Sequence, residues 1–324
     1  AGERALPTRL LAPQDACGDS AARPARSLAA ALPPSFDLIE DYLTHVAWAG
    51  MRPIFRQAAD ALEEAPASPA AWQAFFREMR YPGAHLIVGG LATRAVQLRA
   101  EVHANALRAR VRRHRAALAA AWGIADDPLL ERTAVGLLWV GHPATVQAGA
   151  LVMQELLQRP EVYDPLHEQA RQLGDGAWAV GGAFRTEVRQ HVIEALRFRP
   201  PFPLLLRDVP RDTGYTLDGN RRVATAAGAR VTLMSPAAMF DPEGAKGEAV
   251  CPFHAARSHF PSGPYHLVFG YGPRHCIAQD HVVEILTSAL TGLLTLQRLT
   301  WADRAWRRMR YDGPIISRMR LKVR

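Results

Sequence analysis

The sequence predicts a mainly α-helical protein with minor β-sheet, and three observations support this fold class. Apolar residues recur at helical spacing through most of residues 36–122. Residues 129–157 are apolar almost all round, and another long apolar helix is expected at about 277–296. Strand-like segments appear only in the second half, at PLLLRDV, GYTLDGN and ARVTLMS. We therefore expect helices around a buried central helix, with small sheets beside them.

Prolines mark the expected boundaries between the helices. Two consecutive prolines precede the helical pattern that starts at Phe36, and Pro200 and Pro201 end the segment TEVRQHVIEALRFR. Further breaks are expected at Pro66, at Pro69 and at the YPG of Tyr81 to Gly83.

Composition places the chain among ordinary globular proteins, with 324 residues, 48% hydrophobic and 22% charged. Three cysteines, Cys17, Cys251 and Cys276, are too few and too scattered for a disulfide framework. The first residues contain no apolar core of signal-peptide length. These features predict a single domain in a reducing, cytoplasmic location.

The net charge of +8 comes almost wholly from arginine. The densest basic run, LRARVRRHR at 107–115, favours a solvated helix face, then an acidic protein partner, then nucleic acid. No aromatic residues interleave with it to stack on bases, so no nucleic-acid partner is expected.

The long apolar segment could be a membrane helix, because residues 133–153 carry no formal charge. A glycine, a histidine and a proline at its centre, in Gly141-His142-Pro143-Ala144-Thr145, instead favour the core helix of a globular domain. No membrane span is therefore expected. Pro143 should kink the helix, because it removes one backbone hydrogen bond and opens a groove.

The stretch FGYGPRHCIA, from Phe269 to Ala278, places a cysteine just before the last long helix. Gly270 and Gly272 permit positive φ and a tight loop. The helix N-terminus and the cations Arg274 and His275 favour a thiolate at Cys276. From these residues alone, a glycine turn with a buried cysteine and a thiolate held for a metal both remain open.

The pattern Phe269-Gly270-x-Gly272-x-Arg274-x-Cys276-x-Ala278 resembles the haem-binding loop of the cytochrome P-450 (haem-thiolate) superfamily. The resemblance implies a cytochrome P-450-like fold binding haem b, with Cys276 as the axial ligand of the iron. It also implies that Arg274 partners a haem propionate and that Phe269 packs beside the sulfur.

Other motifs follow in the order of that family. Glu194-Ala-Leu-Arg197 resembles its Glu-x-x-Arg pair, which shares one helix face. Arg207 resembles its strand cation for the second propionate, and Arg257 is the candidate third member of the Glu-x-x-Arg network. Four segments resemble bacterial haem domains related to those fused to fatty-acid dioxygenases: EALRFRPPFPLLLRDVPRDT, SPAAMFDP, HLVFGYGPRHC and YDGP.

Two departures from the family bear on the chemistry. The central helix resembles the one that crosses the haem, and Thr145 matches its threonine, but Ala144 replaces the preceding acid. His142 is therefore a candidate catalytic residue as a substitute proton source or, equally, a packing residue. The second departure is that the family's N-terminal region is divergent or partial within residues 1–35 of the expected single domain, 1–324. The resemblance covers residues from about 30 onward and is strong only from about 130.

The resemblance implies a monooxygenase that hydroxylates a small apolar substrate, with electrons from a separate ferredoxin or reductase. The arginine excess would favour an acidic donor on the cysteine side. Ala144 keeps open a hydroperoxide isomerase or a peroxide-using enzyme, and the short N-terminal region keeps open a non-catalytic haem-binding protein. A zinc site at Cys251-x-x-His254 with His259 or Cys276 is a further alternative that lacks a paired second half.

Overall fold

The structure is a computed structural model. It describes residues 2–11, 15–64, 68–88, 92–125, 127–216, 222–241, 253–255, 267–302 and 309–324. Helices dominate these ranges, and their apolar faces form a continuous core that includes residues from α1 and from β9.

The α-helices in the described part of the chain are α1 (Gly2–Leu11), α2 (Asp15–Ala30), α3 (Thr44–Phe55), α4 (Ala58–Glu63), α5 (Pro69–Val88), α6 (Arg94–Arg113), α7 (Arg115–Trp122), α8 (Pro128–Gly136), α9 (His142–Leu157), α10 (Pro160–Leu173), α11 (Ala183–Phe198), α12 (Ser235–Met239) and α13 (Gln279–Leu294). Their existence confirms the predicted fold class, and α11 and α13 lie where the sequence predicts them.

The strands are short, and all of their pairings are antiparallel: β1 (Ser35–Asp37), β2 (Leu204–Asp208), β3 (Thr213–Thr216), β4 (Arg222–Thr225), β5 (Arg230–Met234), β6 (Leu299–Trp301), β7 (Arg310–Asp312), β8 (Ile315–Arg318) and β9 (Arg320–Val323). One sheet has the order β1-β9-β6, and the other pairs are β2 with β5, β3 with β4, and β7 with β8. The predicted strand segments around β2 and β5 are confirmed.

The central helix comprises α8, a π-helical turn at Leu137–Gly141 and α9. Asp127 caps it by accepting hydrogen bonds from the backbone N–H groups of Leu129 and Leu130 at 2.7 and 3.1 Å. The π-helical turn lies just before Pro143, which has no N–H for the carbonyl of Trp139. The interruption of the α-helix therefore lies at the place where the sequence predicts a kink.

By length and composition, this one helix of the described residues, Pro128–Leu157, could cross a membrane. Half of its most apolar window is buried inside the protein. In α9, polar side chains such as Gln147 and Glu155 are buried together with the apolar ones. That surrounding is typical of a core helix, which agrees with the prediction from the sequence.

Two expected boundaries are wrong. The YPG of Tyr81 to Gly83 does not break the chain, because α5 continues through Pro82. Close packing compensates for the lost hydrogen bond: a Cβ on Gly83 would lie 3.3 Å from both Pro143 Cγ and the Trp139 carbonyl oxygen. The pattern from Phe36 begins with strand β1 and a π-helical segment at Leu38–Leu43, since β1 pairs with β9.

The basic run on α6 is largely paired within the protein. Arg110 is 6% exposed, and its guanidinium contacts Glu78 at 2.7 Å and Glu64 at 2.9 Å. Arg112 binds Glu131, and Arg113 binds Glu64. The first interpretation, a solvated helix face, is therefore wrong for Arg110, because intramolecular carboxylates bury and neutralise its charge.

Candidate functional site

The cysteine loop between the coil and α13 has the tight geometry that its glycines predict. Gly270 and Gly272 adopt φ of 76° and 60°, which confirms the expected positive values. The N–H of Cys276 donates to the Phe269 carbonyl at 2.7 Å, and the N–H of His275 donates to the Gly272 carbonyl at 3.0 Å. These bonds fold the loop back on itself and hold the half-buried Cys276 beside the start of α13.

A cavity of about 620 Å³ separates this loop from the central helix. Its walls are mostly apolar and come from the central helix, the segment after α11, the cysteine loop and α1. The described lining residues are Pro7, Leu11, Leu129, Arg132, Thr133, Gly136, Leu137, Val140, Gly141, Ala144, Ala148, Leu196, Pro201, Phe202, Leu205, Arg207, Leu267, Val268, Phe269, Gly270, Arg274, Cys276, Ile277, Ala278 and Val282. Residues predicted from distant motifs thus meet around one space.

Arginines supply the positive charge of this cavity. Arg274 and Arg207, both predicted as site residues, line it from the cysteine loop and from β2. Arg207 donates to the Leu206 carbonyl at 2.8 Å, which directs part of its guanidinium to the local backbone. Arg132 of α8 also lines the cavity and was missed by the sequence reasoning. The sequence feature that could have indicated Arg132 is its position immediately before the uncharged run at 133–153.

Ala278 occupies the N-cap position of α13 and lines the same cavity. Its carbonyl accepts the N–H of Val282 at 2.8 Å, so the helix begins directly after it. Gly272, by contrast, does not line the cavity in the described residues, and its contribution is to the turn of the loop.

Glu194 and Arg197 form a buried pair on α11, each 1% exposed. The guanidinium donates to both carboxylate oxygens, at 2.9 and 2.8 Å. Arg197 also donates to the Met239 carbonyl at 3.2 Å, and Glu194 accepts the N–H of His254 at 2.9 Å. The pair therefore ties α11 to α12 and to the coil that precedes the cysteine loop.

Three residues of the earlier hypotheses lie outside the described residues. Arg257, the expected third member of the network, is one of them, and its role stays a prediction. Cys251 and His259 of the zinc alternative are the other two, so only His254 and Cys276 of that set are described. Within the described ranges, the chain forms no cluster of three or more potential metal ligands.

The central-helix side places the two candidate catalytic residues away from the cavity lining. His142 is 2% exposed; its Nε2 lies 3.0 Å from the Thr44 carbonyl, and its ring stacks on Phe76 at 5.3 Å. Burial lowers the pKa of His142 from 6.5 to about 4, so the ring is neutral at pH 7. This environment is that of a packing residue, and a catalytic role for His142 remains a prediction.

Thr145 uses its hydroxyl within the helix. Its Oγ1 donates to the Gly141 carbonyl at 2.7 Å, and the residue is 2% exposed. Gly141 lies in the π-helical turn and lines the cavity, as does Ala144. The hydroxyl therefore satisfies a carbonyl at the helix interruption, and its predicted catalytic role stays a prediction.

Comparison with solved structures identifies the fold. The chain matches cytochrome P450 TbtJ1 in its ligand-free form, with a TM-score of 0.73, 19% identity and 99% of this chain aligned to 80% of that one. It matches CYP105P1 in complex with filipin I with a TM-score of 0.73, 20% identity and 99% aligned to 76%. CYP109B1 from Bacillus subtilis gives a TM-score of 0.67 at 18% identity, with 99% aligned to 82%.

Neither the scan of protein-family models nor the search of curated proteins found a match. The structural likeness covers nearly the whole chain, and it confirms the fold expected from the cysteine loop and the Glu194–Arg197 pair. The chain therefore has the cytochrome P450 fold.

Proposed function

We propose that this protein binds haem b through the Cys276 thiolate and acts as a haem-thiolate oxidoreductase, hydroxylating a small apolar substrate. The observation that carries the proposal is the single cavity that brings Cys276, Phe269 and Arg274 from the cysteine loop together with Arg207 from β2. Across this cavity lie Gly141 and Ala144 of the central helix.

The described residues fit a haem in two respects. The cavity walls are apolar, as a flat macrocycle requires, and Arg274 and Arg207 supply the cations that pair with propionates. The cysteine loop is preformed: a Cβ on Gly270 would lie 3.2 Å from the Arg274 carbonyl oxygen, so glycine permits the close turn. Haem bound there would supply an iron that activates dioxygen or peroxide.

The chain's own residues would perform the remaining tasks. Cys276 would hold the iron from the loop side, with its own N–H already engaged by the Phe269 carbonyl. Leu137, Val140 and Phe202 would exclude water and orient an apolar substrate against the central helix. The pair Glu194–Arg197 would hold the coil that precedes the loop through His254.

The reduced carbon monoxide difference spectrum tests the proposal. We expect a Soret band at the thiolate-ligated position for the native protein, and loss of that band in Cys276→Ser. Tyr271→Phe, in the same loop and 75% exposed, is the matched control and should keep it. Absence of any thiolate band in purified, haem-supplemented native protein would overturn the proposal.

A peroxide-using or hydroperoxide-isomerising enzyme is the second candidate, because the central helix presents no acid to the cavity. Ala144 lines it where an acid was expected, and no carboxylate or histidine appears among its described lining residues. Turnover with hydroperoxide alone would support this reading. Strict dependence on reductant would support the monooxygenase, and failure of both with a normal haem spectrum would support a non-catalytic haem-binding protein.

The proposed electron donor for the monooxygenase is a separate ferredoxin with its reductase. Its acidic surface would approach the side of the cysteine loop, where Arg274 is exposed. Reduction rates measured against salt test this, because attraction between exposed charges weakens as ionic strength rises. A rate independent of salt would contradict an electrostatically steered donor.

A further inference from the structure

A second, much smaller cavity adjoins the large one at the central helix. Its volume is about 10 Å³, which is room for about one water molecule. Val140, Ala144 and Phe202 line both this small cavity and the large cavity that contains Cys276 in its wall. The two spaces are therefore neighbours, and Ala144, the position where an acid was expected, lies between them.

Gln147 brings an unsatisfied amide to the small cavity. It lies on α9, almost one helical turn after Ala144, and is 4% exposed. It lines the small cavity, and its Oε1 accepts the N–H of Ile316 at 3.5 Å. Its Nε2 is buried and has no hydrogen-bond partner among the described residues. Because an unsatisfied buried N–H is unfavourable, this group favours a ligand that accepts a hydrogen bond.

Arg80 lines the same small cavity from α5. Its Nη2 donates to Glu40 Oε1 at 2.8 Å, and the Glu40 side chain is 41% exposed. The small cavity therefore lies one ion pair away from bulk water, although the helix around Gln147 is buried.

The backbone of the central helix brings an acceptor to the small cavity. Trp139 is one of the lining residues, and Pro143 has no N–H to donate to its carbonyl. That carbonyl oxygen lies 3.3 Å from the position of a Cβ on Gly83, which also lines the small cavity. An amide donor, a guanidinium and a carbonyl thus surround room for one molecule. This set suits water, because a buried water makes about two to four hydrogen bonds.

We propose that Gln147 is a positioning residue whose Nε2 holds a water molecule in the small cavity, and that this water supplies protons to the large cavity past Ala144. The water gives one proton to the reacting group in the large cavity and regains one from bulk water on the Glu40 side, so it is not consumed. This inference rests on the proposed function, since it requires a reaction in the large cavity that takes up protons.

Crystal structures of the haem-loaded native protein and of Gln147→Leu test the water site. We expect one ordered water about 3 Å from Gln147 Nε2 in the native protein. Gln147→Leu should have no water there, because its side chain is similar in size but cannot donate a hydrogen bond. Gln147→Glu should retain the water, because a carboxylate can accept a hydrogen bond from it.

Turnover of the haem-loaded protein tests the proton supply. Gln147→Leu should lower the ratio of reductant-driven to peroxide-driven turnover about tenfold, because a proton donor in position accelerates only a step that takes up a proton. The solvent deuterium isotope effect on the reductant-driven rate should rise in this variant. Gln147→Glu should recover most of the ratio.

Gln154→Leu is the matched control, because Gln154 is half-buried on the same helix and is not among the described residues that line the small cavity. It should keep the water and leave the turnover ratio within twofold of native.

A native small cavity without an ordered water would overturn the inference. So would an ordered water whose loss in Gln147→Leu leaves the turnover ratio and the isotope effect unchanged. Both results leave the haem proposal intact. If the protein takes up no haem, the proposed function fails and the proton supply fails with it, whereas crystal structures of the haem-free protein still decide whether Gln147 holds the water.

Discussion

The two sides of the cavity, the cysteine loop and the central helix, differ in the chemical groups that they contribute to its lining. The cysteine side has Cys276 and Arg274 in a hydrogen-bonded loop, backed by the Glu194–Arg197 pair. The central-helix side has Gly141 and Ala144, with the nearby His142 turned into the core. The thiol and the hydrogen-bonded loop therefore lie on the cysteine side, whereas the described cavity-lining residues of the central helix include no acid and no histidine.

The largest expected effect on stability concerns the buried pair behind the cysteine loop. Arg197→Met should lower the free energy of unfolding by about 3–5 kcal/mol, because it removes the guanidinium that donates to both oxygens of the buried Glu194 carboxylate. Urea unfolding would measure this. The double variant Arg197→Met with Glu194→Leu should recover part of the loss.

The exposed pair Arg230–Asp208 provides the control for this prediction. Its separation is 2.7 Å, but the side chains are 43% and 72% exposed. Arg230→Met should therefore cost less than about 1 kcal/mol. Similar losses in Arg230→Met and Arg197→Met would contradict a special role for burial on the cysteine side.

On the central-helix side, we expect a dependence of stability on pH. Burial lowers the pKa of His142 from 6.5 to about 4, so between these values the unfolded chain binds a proton that the folded protein does not. The contribution of His142 to stability should be constant above about pH 7 and should fall by about 3 kcal/mol as the pH decreases toward 4.

His142→Gln tests that dependence because it cannot titrate. The difference in unfolding free energy between native and variant protein should shrink or change sign between pH 7 and pH 4.5. A constant difference in unfolding free energy across this range would show that the pKa of His142 is not lowered in the folded protein. Burial lowers the pKa of His281 on α13 to about 4 as well, so the variant should retain part of the acid sensitivity.

An acid introduced at Ala144 should give the central-helix side of the cavity a titratable group, which its described lining residues lack. Ala144→Asp should raise the ratio of reductant-driven to peroxide-driven turnover by about a hundredfold, within the range for a positioned general acid. Ala144→Asn has the same shape without the proton and is the control. Equal ratios in both variants would show that proton supply at this position does not limit the reaction.

The smallest expected effects distinguish two glycines of the cysteine loop. Both Gly270→Ala and Gly272→Ala place a side chain at positive φ, which costs about 1–2 kcal/mol. The Cβ of Gly270→Ala would also lie 3.2 Å from the Arg274 carbonyl, whereas that of Gly272→Ala would meet nothing within 4 Å. Thermal unfolding should therefore show the larger loss for Gly270→Ala.

Features governed by neighbouring residues were predictable from the sequence. The positive φ of Gly270 and Gly272, the end of α11 before Pro200 and the interruption of the central helix near Pro143 depend on local backbone constraints. The order of the motifs also predicted that Cys276, Arg207 and Arg274 share one site. Local chemistry and motif order thus determined the fold class and the cysteine side of the cavity.

Only the tertiary structure decided the features that depend on distant partners. Pro82 continues α5 because Gly83 packs on the central helix, and Arg110 is buried because Glu78 and Glu64 reach it from other elements. β1 forms because Phe36 pairs with Leu321 at the other end of the chain. Arg132 lies between a groove formed by α5, α6 and α8 and the cavity for the same reason, because elements from distant parts of the chain pack together to form both spaces.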